Sequence, residues 1–213
     1  MGDALASNLP EGLDGAFDIT NGAILGCSVY DSGSPLSAHP TFALAFDFCE
    51  GWQDEWARSV RESADYLALV VVGGWDVFDH RTADGTVVII ASPEWEAYFT
   101  TRLQEGIDAL KGAGATKVGL LEVACMRPQD VPQAGIPPLP ERADDARVAH
   151  VNGVLQPVAA SDPGWVSFVE GPQEWCTDAT IANDLAMRWD GVHPHRPGAK
   201  LIYETIAPEL LSL

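Results

Sequence analysis

The run Tyr66-Leu67-Ala68-Leu69-Val70-Val71-Val72 constrains the fold more than any other stretch of this chain. It is aromatic or aliphatic at every position, and it stops at Gly73-Gly74. Such a run suits a strand buried on both faces, as in a parallel sheet. Lys117 to Val123 reads as a second strand of this kind. Between the two, Ser92-Pro93-Glu94 reads as a helix start, with Ser92 as N-cap and Pro93 at the first helical position. That helix runs through Tyr98, Leu103, Ile107 and Leu110 and stops at Gly112. Strands separated by helix-length segments imply βαβ units and a mostly parallel sheet. Asp18 to Leu25 is expected as a further strand ending at Gly26, and Trp165 to Val169 as another. Helices are expected over Gly51 to Arg61, Arg142 to Ala159 and Pro197 to Leu211, with a long Pro- and Gly-rich surface loop over Met126 to Pro140. With no internal repeat and no composition break, the 213 residues read as one domain, 1–213.

Twelve Lys and Arg stand against 31 Asp and Glu, a net charge of −19, which excludes nucleic-acid binding through a basic face. A chain 46% hydrophobic and only 20% charged is too apolar for a disordered acidic tail. No apolar run approaches the ~20 residues of a membrane span, and no charged-then-apolar leader is expected at the start. Cys27, Cys49, Cys125 and Cys176 form no Cys-x-x-Cys pair, so zinc and thioredoxin-type readings are weak. Two disulfides or four buried thiols both fit, and three pairings are open.

Ligand sites in parallel sheets lie beyond the carboxyl ends of the strands. The strongest local signal is Trp189-Asp190-Gly191-Val192-His193-Pro194, ahead of the last helix. An Asp three residues before a His can accept from one ring nitrogen and leave the other free as a general base. On spacing alone, a capping Asp beside a surface His is the plainer reading. Gly73-Gly74-Trp75-Asp76 follows a buried strand, where glycines let a ligand approach the backbone or simply make a tight exit. Asn21 to Cys27 ends another expected strand, and the N–H of Gly26 there can serve an oxyanion or only a turn. The chain start, Gly2-Asp3-Ala4 followed by Leu9 and Gly12-Leu13, gains meaning only beside the other three.

Together the four segments resemble the SGNH (GDSL-type) hydrolases, and most of all the extracytoplasmic SGNH domains that accompany actinobacterial membrane acyltransferases. The resemblance runs through nearly the whole chain in order. Gly2-Asp3-Ala4 is similar to the Gly-Asp-Ser block, Asn21 to Cys27 to the block whose glycine, here Gly26, completes the oxyanion hole, and Gly73 to Asp76 to the Gly-x-Asn-Asp block. Asp190 and His193 match the block that holds the catalytic Asp and His. Cys27 and Cys49, with Trp52 and Trp56 behind them, match a Cys…Cys-x-x-Trp-x-x-x-Trp pattern, which implies a Cys27–Cys49 disulfide. A Cys125–Cys176 disulfide and free thiols both remain open.

The resemblance implies a three-layer α/β/α sandwich, flavodoxin-like, with a mostly parallel sheet. It implies ester chemistry, hydrolysis or O-acyl transfer, on an acylated carbohydrate or similar small ester, outside the cytoplasm, linked to a membrane acyltransferase. In that scheme His193 is the base, Asp190 its partner, and Ala4 and Gly26 give the oxyanion N–H groups. Asp3, Gly74, Trp75 and Asp76 stand at the substrate. Three departures matter. The nucleophile position holds Ala4, which has no hydroxyl, so the acyl-enzyme route is closed there. Ala4 is read either as an engineered substitution or as the mark of a natural pseudo-enzyme. The oxyanion Asn is replaced by Trp75, and losing one such donor typically costs roughly a hundred- to a thousandfold in rate. Finally, the family's apolar strand ahead of Gly-Asp-Ser is missing before Gly2. Either the sequence starts after it or the sheet closes up without it. The other class of function is a non-catalytic domain that binds acyl-sugars or partner proteins, with Trp75, Trp52 and Trp56 as stacking surfaces, though Trp52 and Trp56 fit the core better.

Ser32 is a weak alternative nucleophile, and Ser7 and Ser28 lie near the site without a partner motif. His195 reads as a surface residue, His80 and His150 as solvated, and Asp144-Asp145 as a solvated helix face rather than a metal site. No metal and no cofactor are expected.

Overall fold

A computed structural model describes residues 1–11, 13, 16–60, 66–131 and 135–213. Gly12, Arg61 at the end of the expected second helix, and 132–134 within the expected long loop lie outside the described residues. In chain order the elements are α1 (Gly2–Ala6), β1 (Ser34–Leu36), α2 (Trp52–Ser59), β2 (Leu67–Val70), β3 (Asp79–Arg81), β4 (Val87–Val88), α3 (Pro93–Gly112), β5 (Lys117–Leu121), α4 (Asp145–Ser161), β6 (Val166–Val169), α5 (Glu174–Thr177), α6 (Ala179–Ala182) and α7 (Arg196–Leu210).

Three strands form a parallel sheet in the order β2-β5-β6, with Leu67 opposite Lys117 and Val118 opposite Val166. β5 is central, and Val118 to Leu121 are all buried. Alternation divides the core between the two faces. Ala68, Val70, Val118, Leu120 and Val166 join the cluster built on α2, α3 and α4. Leu121 and Val169 face the other way, with Leu69 and Val71 against them, onto Leu5 of α1 and Ala199, Tyr203 and Ile206 of α7.

α3 begins as the sequence predicts. The Ser92 hydroxyl accepts from the Trp95 N–H at 3.2 Å, and Pro93 opens the first turn. α4 begins three residues later than expected, because the Asp144 carboxylate caps the Ala146 N–H. Arg142 belongs to the 3-10 turn Pro140–Ala143 instead. A small antiparallel sheet, β1-β3-β4, lies outside the sequence expectations. Both disulfides form: Cys27–Cys49, and Cys125–Cys176 across 51 residues.

The expected strand over Asp18 to Leu25 is not a strand. The reason lies at the edge of β2. The Val118 N–H donates to the Trp165 carbonyl on the β6 side, so Lys117, Gly119 and Leu121 turn toward β2. At the observed register the N–H and C=O of Leu67 and Leu69 then point away from β5. Among the described residues no hydrogen bond reaches them. A cavity of about 770 Å³ lies along this edge, bounded by Tyr66 to Val72 on one side and by residues 16–28 on the other. A strand needs a ladder partner, and, among the described residues, 18–25 have none across that gap.

Candidate active site

The loop ahead of α7 is built around one carboxylate. Asp190 Oδ1 accepts the Val192 N–H at 2.9 Å and the His193 N–H at 2.7 Å. Asp190 Oδ2 lies 2.7 Å from His193 Nδ1. With the carboxylate ionised, Nδ1 carries the proton and donates, and Nε2 is left as a free base. Burial raises the Asp190 carboxyl, but the His193 ring and the two N–H groups outweigh that and hold it below the usual carboxylate range. Gly191, at φ +79, makes the turn possible, since a Cβ there would sit 1.7 Å from the Arg127 carbonyl oxygen. Trp189 stacks on the His193 ring, with centroids 5.5 Å apart.

The loop is tied to the segment that follows β5. The Arg127 N–H donates to Gly191 O and the Gln129 N–H to Asp190 O, both at 2.9 Å. Arg188 is buried, sends one amino group to Cys125 O and the other to Ala182 O, and covers the Trp175 ring at 4.3 Å. Burial lowers Arg188 to about 10, so it stays charged at neutral pH.

On the opposite wall, α1 carries Asp3 and Ala4. The Tyr203 hydroxyl donates to Leu5 O at 3.2 Å, and the Asn21 side chain donates to the Asp3 carboxylate at 2.8 Å. The Ala4 N–H lies in the first helical turn, where intrahelical acceptors are missing. Gly26, at φ +81, turns beside the exposed Phe48. Asp3, Ala4, Gly26, Gly74, Trp75 and His193 all line the 770 Å³ cavity, and Asp190 supports His193 from behind.

Asp76 departs from its expected place. It is fully buried and does not line the cavity. Its carboxylate accepts from the Ser28 hydroxyl at 2.6 and 2.7 Å and from the Gly73 N–H at 2.6 Å, so it braces the strand exit from inside. Burial pushes its pKa up to about 6 against those bonds. Ser28 is thus committed to Asp76, and Ser32 donates to Asp31. Ser7 and His195 do not line the cavity.

His80, expected in solvent, is buried and stacks on Tyr30 at 4.4 Å, with Tyr98 and Phe46 around it. Burial lowers its pKa to about 4, so it packs as a neutral flat ring. His150, also expected in solvent, is only partly exposed and packs against Trp95 at 5.6 Å. Asp144 caps α4, and Asp145 pairs with both amino groups of Arg127 at 2.6 and 2.9 Å.

The sequence reading missed Arg142. Only 4% exposed, it lies with Cζ 4.2 Å over the Trp75 ring and donates from Nε to Gly74 O at 2.9 Å. It lines the same cavity as His193. No local pattern marks it, because its place depends on a contact with Trp75, 67 positions earlier in the chain (142 − 75). A scan against protein families finds no match for the chain, and a search of curated proteins finds no relative.

Proposed function

We propose that this chain is an SGNH-type domain, a three-layer α/β/α sandwich built for ester chemistry, with its nucleophile position occupied by Ala4. The reaction class is hydrolysis or O-acyl transfer on an acylated carbohydrate or a similar small ester. One observation carries the reading: His193, held by Asp190, and the start of α1 border a single cavity, although they lie at opposite ends of the sequence. With a hydroxyl at position 4, His193 Nε2 takes its proton as the oxygen attacks the ester carbonyl, and returns it to the departing alcohol. Asp190 holds the ring, and the N–H groups of Ala4 and Gly26 receive the oxyanion. The two disulfides favour an extracytoplasmic setting, where thiols are oxidised, and there a membrane acyltransferase is the partner we propose.

The test is Ala4→Ser, assayed on p-nitrophenyl acetate beside the parent chain and Ala4→Ser/His193→Ala. The single variant is expected to gain activity of at least ~10²-fold, which the second change abolishes. A folded Ala4→Ser chain with no activity above the parent overturns the reading. A binding domain without catalysis is the second class. Trp52 is fully buried and Trp75 is covered by Phe42 and Arg142, so two of the three rings it requires are not open for stacking.

A further inference from the structure

We infer that the cavity contains a subsite for an anionic group, a carboxylate or phosphate carried by the ligand, formed by the guanidinium of Arg142. As a statement about an ester substrate this rests on the reading above; as an anion site it stands on Arg142 alone.

Among the described residues, each of the other buried and half-buried arginines has at least one terminal amino group engaged. Arg102 pairs with Asp31 and Glu105, Arg127 with Asp145, and Arg147 with Asp79. Among the described residues Arg188 has no ion pair; both its amino groups donate to carbonyls, and its Nε alone is without a partner. Arg142 differs. Only its Nε is bonded, to Gly74 O, and among the described residues neither terminal amino group has a hydrogen bond or an ion pair. The nearby acids are committed elsewhere. Asp190 serves His193 and Val192, while Glu141 accepts from the Ser37 hydroxyl at 2.7 Å and the Ala38 N–H at 2.6 Å. Burial lowers Arg142 to about 10, which leaves it cationic at neutral pH.

The Asp190 and Glu141 charges reach Arg142 only through space, so its two terminal amino groups keep open donors that a ligand's oxygens can fill. The remaining N–H donors form a planar fork that matches two oxygens of a carboxylate or phosphate. The Trp75 ring and Gly74 O hold that fork in one orientation, so little ordering is left for binding. The net charge of −19 repels anions from a distance, but salt screens that field beyond about 8 Å at physiological ionic strength.

The test uses the parent chain and two simple probes, inorganic phosphate and acetate, each titrated while the Arg142 Nε–H and Trp75 indole signals are followed by NMR. We expect a saturable shift of both signals with Kd on the order of 1 mM for one probe at least. Arg142→Gln is expected to weaken binding at least tenfold, and Arg142→Lys to restore part of it, because a point charge lacks the fork. Saturation by phosphate alone assigns a phosphate-bearing ligand, and saturation by acetate assigns a carboxylate. An Arg142 signal that stays still in both titrations overturns the inference, and this measurement on the parent needs no variant to fold. Arg142→Gln binding as tightly as the parent overturns it as well. If phosphate binds while Ala4→Ser is silent, the anion site survives and the ester reading falls. If Ala4→Ser is active on the neutral ester and neither anion binds, the reverse holds.

Discussion

Replacing Cys125 and Cys176 by Ala asks how far the loop of Asp190 and His193 depends on a covalent tether. The bridge spans 51 positions, which take in α4, β6 and the first three residues of α5. In the chain-entropy picture, closing a loop of n residues removes about 2.1 + 1.5R ln n from the entropy of the unfolded chain. For 51 residues that is roughly 14 cal/mol/K, or about 4.1 kcal/mol at 25 °C. The separation of 22 between Cys27 and Cys49 gives about 3.4 kcal/mol. The longer bridge is therefore worth about 0.7 kcal/mol more, and local contacts add to it: the Cys125 N–H reaches Cys176 Sγ at 3.3 Å, and Cys125 O receives Arg188. Urea unfolding of the two double variants beside the parent measures both losses. The expected fall in Tm for Cys125→Ala/Cys176→Ala is about 8–16 °C, at roughly 2–4 °C per kcal/mol for a chain of this size. If losing Cys27–Cys49 costs more than losing Cys125–Cys176, loop closure is not what these bridges contribute, and the reasoning fails.

Two further changes probe the site's supports. Gly191→Ala forces a Cβ to within 1.7 Å of Arg127 O at φ +79. The left-handed backbone alone costs roughly 1–2 kcal/mol, so calorimetry is expected to find Tm lowered by about 5 °C or more, and an unchanged Tm refutes the turn as described. Asp76 is ionised in water above its ordinary value of 3.8 but, once buried, only above about 6. The folded state therefore holds its proton more tightly, and stability falls as pH rises from about 4 to about 6, by ~3 kcal/mol in all from this group. Urea unfolding of parent and Asp76→Asn across that window is expected to show this component of the slope only in the parent; the same slope in both excludes Asp76 as its source.

The parts of the fold legible in the sequence are those whose signals are local. β2 declares itself by an unbroken apolar run, β5 by a mostly apolar one, and α3 by a capping Ser followed by Pro. Asp18 to Leu25, apolar only at Ile19 and from Ala23 to Leu25, forms no strand, because strand formation needs a neighbour that a one-dimensional pattern cannot supply. β3 is Asp79-His80-Arg81, polar in sequence, and it pairs because His80 is swallowed by an aromatic stack. α4 starts at Asp145 and not at Arg142, because the Asp144 carboxylate caps it. At the site, Asp190 and His193 were legible since their bond spans three residues. Asp76 was misplaced and Arg142 unseen, because their settings come from Ser28 and Trp75, far away in the chain.

The two walls of the cavity rest on different foundations. The Asp190–His193 wall is fastened to the segment after β5, the inner strand of the sheet, through Arg127, Gln129 and Cys125. The Ala4 and Gly26 wall leans over the open edge of β2, where, among the described residues, Leu67 and Leu69 have no backbone partner. Hydrogen exchange should therefore divide the site. The Val192 and His193 amides, bonded to a buried carboxylate, are expected to be protected, and those of Ala4 and Gly26 to exchange much faster. Within β2 itself protection should alternate, slow at Ala68 and Val70 where the amides face β5, fast at Leu67 and Leu69. Uniform protection along β2 in solution means that its outer edge is covered, and then the Ala4 wall is as firmly founded as the other.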